Sequence, residues 1–451
     1  MINKIGTFIK KNINIIIVFI LSFFIYNFLG FYINNGDPIA SYGFSHAIRM
    51  GEVPYLDFNT VSTPLYAFYN SLFLLIFDDF SMFLFAQVIL VTIMFIFLFK
   101  MFGSRSYIVF LAMVIFKFMG FSATYNLCCL VMSVIVLYLE DKYPKKDFLI
   151  GIFLGLCFLS KQTVGGLLVL PSLVICFKDY KKLLKRIGGF LIPCSIFLIY
   201  LISTKSLYQF IDLCFLGLFD FGGNNNLLFT IWFFLSFGLL GINIYYLVKK
   251  RSIFDYYGIS YLGFILPIFD LNHFAYYLVG ISIVIVSHLK ELSVYKKCLV
   301  WGVIIQFIIF NTMMGVREYK PMIYKDTNHF KYRYIYKVDY KDGEELSKII
   351  NKYSEYDPVL IMYYSMTYNI INDRDISYFD VFLYGNHGYN GTEKMIKKIK
   401  KMINKYFLIN MDEYEKATNG YSQFNEKIVD YIISVSDLVD SYGRINVYYK
   451  E

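Results

Sequence analysis

Apolar residues run along the first two thirds of this chain in blocks too long for strands and too continuous for the one-sided stripe of a soluble helix. The first block, Ile13 to Ile33, follows Lys4, Lys10 and Lys11. It is longer than the about 7–15 residues of a secretory h-region, and no small-residue cleavage site follows it, so the pattern predicts an uncleaved spanning helix. A non-apolar segment, Asn34 to Pro64, comes next. Further spans are predicted near Ser81–Phe102, Tyr107–Met119, Thr124–Leu139, Phe148–Leu159, Val164–Phe177, Ile187–Ile202, Leu227–Val248, Ile253–Phe269, Phe274–His288 and Cys298–Met314. That is roughly eleven helices for a bilayer core that takes about 20 residues to cross. The two short ones flanking Lys161 read on hydrophobicity alone as one long stretch or a bent pair.

From about Val316 the chain turns polar and Tyr-rich. Val359–Tyr364, Tyr406–Met411 and Ile445–Tyr449 have strand patterns. Gly343–Tyr353, Thr392–Lys405 and Gln423–Ser434 have helix patterns, the second opened by an Asn-Gly turn. The expected architecture is an α-helical polytopic membrane domain, residues 1–315, with a first loop over 34–78, followed by a small α/β domain over 316–451.

Composition supports the membrane reading. Of 451 residues 57% are hydrophobic and 17% charged, against about 25% charged in a soluble domain. The net charge of +9 does not indicate nucleic acid, because the cations fall in short clusters between apolar runs. With the N-terminus inside, the inner turns carry Lys100 and Arg105, then Lys142, Lys145 and Lys146, then Lys178 to Arg186, Lys249 to Arg251, and Lys290 to Lys297. The opposite turns carry only Arg49, Lys161 and Lys205. This alternation predicts an extracytoplasmic C-terminal domain, and it holds only if the two short helices around Lys161 are kept separate. The seven cysteines form no C-x-x-C pair, which argues against a zinc or redox centre. The abundance of Ile, Lys, Asn, Tyr and Phe suits a low-GC bacterium.

Three places concentrate chemistry. The first loop holds Asp37 between Gly36 and Pro38, then Gly51-Glu52-Val53-Pro54-Tyr55-Leu56-Asp57-Phe58, with apolar-periodic stretches from Ile39 and Leu65. Asp37 also suits the N-cap of a helix starting near Ile39, and Glu52 and Asp57 also suit solvated loop acids. The second place is Gly155 to Thr163 around Lys161, an ionisable group among spans that also suits an interfacial, snorkelling lysine. Lys117 near the end of its span is a weaker counterpart. The third is Asp270-Leu271-Asn272-His273-Phe274-Ala275-Tyr276-Tyr277, a polar corner that also suits an aromatic belt. The loop Thr204 to Asn226, with Asp212, Asp220 and a Gly-Gly-Asn-Asn-Asn run, suits a mobile cover or a plain linker.

The first loop resembles that of the GT-C type integral membrane glycosyltransferases, the group of the protein O-mannosyltransferases and lipid A aminoarabinose transferases. The resemblance rests on Asp37 shortly after the first span, on the stretch Gly51 to Phe58, on the two loop helices, and on the Gly155 to Lys161 spacing. It covers about the first 315 residues. It implies transfer of a sugar from a polyprenyl-phosphate-linked donor to an envelope glycan, lipid or protein on the outer face of a bacterial cell membrane. Asp37 would be the general base. Lys161, with His273 or Lys117, would stabilise the departing lipid phosphate, and Glu52, Asp57 and Tyr276 would contact substrate. No nucleotide fingerprint is present. A divalent metal is compatible with such chemistry, but no ligand cluster in the sequence argues for one. The competing readings are a polytopic transporter or lipid-carrier flippase, whose related halves are not seen here, and a non-catalytic envelope scaffold.

Overall fold

The computed structural model describes residues 2–29, 32–33, 37–115, 123–224, 231–266, 271–289, 322–325, 329, 333–336, 346–362, 365–371, 374–377, 379–420, 422 and 424–451. Helices dominate up to residue 289, and a four-stranded sheet with flanking helices forms the C-terminal part. The candidate spans that fall on described residues coincide with helices. They begin with Ile2–Leu29, Phe80–Phe102, Ser106–Ile115 and Tyr125–Lys142, and continue with Asp147–Ser160, Gln162–Cys176, Tyr180–Ser203, Ile231–Lys249, Ile253–Ser260 and Leu271–His288. The stretch Cys298–Met314 and Lys117 lie outside the described residues.

The expected count of eleven spans is not confirmed. Among the described residues, three helical stretches are long and apolar enough to cross a membrane: Phe80–Met113, Tyr180–Ser203 and Ile231–Lys249. The helices on either side of Lys161 have only 14 and 15 residues, and at 1.5 Å per residue each falls short of a bilayer core about 30 Å thick. Large apolar side chains stay uncovered on the long helices, with Ile196 65% and Ile199 67% exposed. Such faces call for lipid as their solvent.

Packing inside the bundle relies on small residues. A Cβ at Gly151 would collide with the Arg186 carbonyl, one at Gly189 with the Phe148 carbonyl, and one at Gly155 with Pro193 and the Phe190 carbonyl. Helices Asp147–Ser160 and Tyr180–Ser203 therefore touch backbone to backbone, a small-xxx-small contact. One end of this contact is fastened by a buried ion network. Arg186 donates through Nε to Asp147 Oδ1 at 3.0 Å, through Nη2 to Glu140 Oε2 at 2.9 Å and through Nη1 to Ser172 Oγ at 2.8 Å. Tyr257 Oη donates to Glu140 Oε1 at 2.9 Å. Arg186, one of the loop cations in the charge pattern, is thus a buried link among five helices, only 4% exposed.

In the C-terminal part, Val359–Ile361 runs parallel to Lys405–Asn410, which pairs antiparallel with Ile445–Lys450, itself antiparallel to Asp437–Tyr442. Side-chain alternation gives the sheet two buried faces. Phe407 and Ile409 pack with Met395, Ile399, Ile428 and Ile432 of helices Gly391–Lys400 and Glu426–Ser434. Leu408 and Val447 pack with Leu346 and Ile349 of the helix over 346–352. Three expected strands and three expected helices are present; Asp437–Tyr442, Met366–Ile371 and Met411–Thr418 are additions. A second, small sheet joins distant segments: Tyr32–Ile33, just after the first helix, pairs parallel with Arg333–Tyr336, which pairs antiparallel with Met322–Lys325.

Removing the Arg186 cation leaves two buried carboxylates uncompensated, a loss of about 3–5 kcal/mol. Arg186→Met is expected to unfold at correspondingly lower denaturant in detergent micelles, and adding Glu140→Gln to recover part of the loss. An unchanged unfolding midpoint in the single variant excludes this role for the network.

Candidate functional site

Lys161 occupies a one-residue break between two helices. It has extended backbone angles (φ −153, ψ 109), ending Asp147–Ser160 and starting Gln162–Cys176. The two helices are therefore separate, folded against each other where Gly165 meets the Phe158 backbone. The break frees backbone groups, and several of them find partners. Lys161 N donates to Cys157 O at 3.0 Å, and Gly165 N to Lys161 O at 2.8 Å. Thr63 Oγ1 of the first loop donates to Phe158 O at 3.1 Å. Gln162 Nε2 donates to Val61 O at 2.8 Å and Cys214 O at 3.0 Å, drawing two loops to the break.

The Lys161 side chain is only 8% exposed. Its Nζ lies 5.7 Å from the Tyr125 ring centroid and 5.6 Å from that of Phe264, within cation–π range. It lines a cavity of about 100 Å³ together with His273, Tyr125, Ser62 and Thr163. The first turn of helix Gln162–Cys176 borders the same space, so peptide dipoles add to the positive character. An ammonium, an imidazole and hydroxyls around so small a space suit a compact anionic group.

Asp37 opens helix Asp37–Met50 as its first-turn acid and is exposed. The Tyr276 ring stacks on that of Phe264 at 5.6 Å, and Phe264 is one of the two rings near the Lys161 ammonium. Tyr276 is buried and its Oη pairs with Thr124 Oγ1 at 2.8 Å. Lys161 and His273 thus share one cavity, and neither Asp37 nor Tyr276 is among the residues that line it.

Glu52 and Asp57 lie elsewhere. The stretch Gly51 to Phe58 is a compact turn, with Gly51 at φ 97 and Tyr55 at φ 74. A left-handed tyrosine is strained by about 1–2 kcal/mol, offset here by full burial of its ring and by its Oη donating to Ser62 O at 2.9 Å. Asp57 accepts from Val53 N at 2.7 Å, a turn-holding role. With Glu52 it lines a cavity of about 730 Å³ whose other walls come from the C-terminal domain: Asp357, Arg374, Asp375, Lys398 and Lys405. Burial first, then the charges of Asp375, Asp57 and Asp380, push the Glu52 carboxyl up to about 7. Asp380 is likewise pushed up to about 7 by full burial, against hydrogen bonds from Ser365 and Ser377 N.

The C-terminal domain is fastened to this end of the bundle by groups that local sequence left unassigned. Asn59 Nδ2 donates to Val381 O at 2.9 Å and Asn386 O at 3.0 Å. Ala40, Ala47 and Phe58 pack against Met366, Ile376, Val381 and Leu383. Asp212 accepts from Lys394 Nζ at 2.5 Å and from Tyr389 N at 3.1 Å, and Asp220 accepts from Gly391 N at 3.2 Å. The loop from Thr204 is therefore helical and docked where described, and Gly217, Leu218 and Gly385 close the Lys161 cavity. The sequence holds no ligand cluster arguing for a divalent metal, but the fold gathers His46, Asp78 and His329, whose ligand atoms lie within 4.8 Å of one another. They are too far apart in the chain for any spacing motif to reveal them.

No family model and no curated protein matches this sequence. Solved structures do. ArnT from Cupriavidus metallidurans, bound to undecaprenyl phosphate, superposes with a TM-score of 0.56 at 10% identity, over 98% of each chain. The oligosaccharyltransferase of Archaeoglobus fulgidus is similar in its complex with Zn and sulfate, with a TM-score of 0.42, 12% identity, and 96% of this chain and 73% of that one covered. Its apo form gives a TM-score of 0.47, 12% identity, and 92% and 72% covered. At such identities the ArnT likeness is one of fold. It covers nearly the whole chain, the C-terminal part included.

Glu52 binds its proton more tightly in the folded protein than at its ordinary value of 4.5, up to about 7. The linked stability is present in full below pH 4.5 and disappears as the pH rises through 7. The thermal midpoint is expected to fall across that window, and less steeply in Glu52→Gln; Asp380 retains part of the slope. Parallel profiles for the variant and the parent exclude a buried, proton-holding Glu52.

Proposed function

We propose that this protein transfers a sugar, hexose or pentose, from a polyprenyl-phosphate-linked donor to an envelope glycan, lipid or protein at the outer face of a bacterial cell membrane. The observation that carries this is the Lys161 cavity: a nearly buried ammonium beside His273 in about 100 Å³, on a chain with the fold of ArnT. The ArnT structure holds undecaprenyl phosphate. By the same chemistry, Lys161 and His273 here meet the lipid phosphate as its negative charge grows on cleavage of the sugar bond. Asp37 takes the proton of the acceptor hydroxyl as its oxygen attacks the anomeric carbon. What supports this division of labour is the position of Asp37 at the start of the first-loop helix Asp37–Met50, exposed and shortly after the first helix.

The charge alternation along the chain puts the N-terminus in the cytoplasm and the C-terminal domain outside. In that orientation the large cavity between Glu52, Asp57 and the C-terminal domain faces the acceptor side. It suits a polar acceptor, and the C-terminal domain is then an accessory of the membrane enzyme.

The test is reconstituted protein with a panel of undecaprenyl-phosphate sugars, following release of undecaprenyl phosphate and label in envelope fractions. Asp37→Asn is expected to lose about 10²–10⁴-fold in kcat while inserting normally; full activity removes Asp37 as base. Lys161→Ala is expected to lower kcat and raise the donor KM together, and unchanged constants remove the phosphate clamp. Movement of intact lipid-linked sugar across the bilayer without transfer would establish the flippase reading instead.

A further inference from the structure

We infer that His46, Asp78 and His329 form a divalent-metal site of zinc type, which fastens the segment ahead of the C-terminal domain to the first outer loop. Two imidazoles and a carboxylate are a zinc donor set that leaves a fourth position for water. His46 projects from helix Asp37–Met50 with Nδ1 at 2.9 Å and 3.1 Å from the two Asp78 oxygens. The His46 and His329 rings meet edge to face at 4.9 Å. All three residues are half-buried, and one ligand atom of each lies within 4.8 Å of the others. Zinc bonds of about 2.0–2.2 Å place tetrahedral ligand atoms about 3.4 Å apart, so closure takes side-chain shifts of about 1 Å.

The surroundings are already arranged as outer-shell support. His329 Nδ1 lies 3.3 Å from the Asp78 carbonyl and 3.1 Å from Tyr42 Oη. A proton on Nδ1 donated to that carbonyl puts the ring's lone pair on Nε2, the arrangement usual for metal-bound histidine. The backbone is pinned on both sides. Phe80 N donates to His329 O at 2.9 Å, and Asp79 caps the next helix by accepting from Met82 N at 2.8 Å. Arg49 Nη1 holds Asp78 Oδ2 at 3.0 Å and Arg49 Nε donates to Leu74 O at 3.0 Å. The guanidinium engages one carboxylate oxygen and leaves Oδ1 for the metal.

The experiment uses tag-free full-length protein in nanodiscs, stripped with chelator, incubated with ZnCl2 and gel-filtered. One zinc per chain is expected, with a raised thermal midpoint. His46→Gln and His329→Gln are expected to lose at least nine tenths of the zinc and the whole midpoint shift, while His288→Gln keeps both. Stripped parent protein that takes up no zinc overturns the proposal and leaves Asp78 as an ion-pair partner of His46 and Arg49 only. So does full zinc retention in both ligand variants. If those variants do not fold, Co²⁺ decides on the parent protein: visible d–d bands of a four-coordinate N/O site support the proposal, and their absence overturns it.

Discussion

A helix interrupted among apolar neighbours must satisfy the backbone groups it exposes, and this constraint organises the candidate site. At Lys161 the chain leaves one helix and enters another within a single residue. Unpaired carbonyls there would each cost about 1–3 kcal/mol. The structure meets the requirement at one carbonyl by drawing in the first loop, where Thr63 donates to Phe158 O. Gln162, at the start of the second helix, in turn donates to the loop carbonyls of Val61 and Cys214, and these contacts bring Ser62 and Leu213 to the walls of the Lys161 cavity. The ammonium itself is kept among aromatic faces, which accept a cation without supplying a fixed counter-charge.

The C-terminal domain belongs to the same construction. Its contacts on the bundle are of two kinds with different consequences. The apolar seam between helix Asp37–Met50 and residues 366–383 is indifferent to pH and salt. The seam through Glu52, Asp57 and Asp375 gathers acids around a cavity of about 730 Å³. Like charges drawn together cost energy unless some are protonated or countered by Arg374, Lys398 and Lys405. A cavity walled by acids, an arginine and lysines is poorly suited to apolar cargo and well suited to hydroxyl-rich groups, which both accept and donate hydrogen bonds.

What was legible in the sequence follows from the range of the interactions involved. Helices were visible because hydrophobicity and length are local, and the break at Lys161 because a lysine inside an apolar run is itself anomalous. Strands Val359–Ile361, Lys405–Asn410 and Ile445–Lys450 were visible because they are buried on both faces and apolar. Asp437–Tyr442 was not, since it is an exposed edge strand with acids and a bulge. The motif Gly51 to Phe58 was recognisable, but its residues turned out to separate. Tyr55 holds the turn with its ring buried, whereas Glu52 and Asp57 face the cavity shared with the C-terminal domain, Asp57 also accepting from Val53 N. Asp212 and Asp220 looked like parts of a free loop because their partners, Lys394, Tyr389 and Gly391, lie far along the chain.

The same distance argument bears on the histidines. His46 alone is an ordinary polar residue on an amphipathic helix, and His329 alone belongs to a Tyr-rich stretch with no spacing motif. Only the pairing of Tyr32–Ile33 with Arg333–Tyr336 shows why they meet. That parallel pair returns the late segment to the end of the first helix, within reach of the loop that follows it. Two strand residues are a weak fastening, since so short a ladder has few hydrogen bonds and no independent stability. A second fastening a few residues away, at His329, removes the freedom the ladder leaves. Clamping there restrains the start of the C-terminal region without touching the Lys161 cavity, so the candidate site and this fastening rest on different side chains.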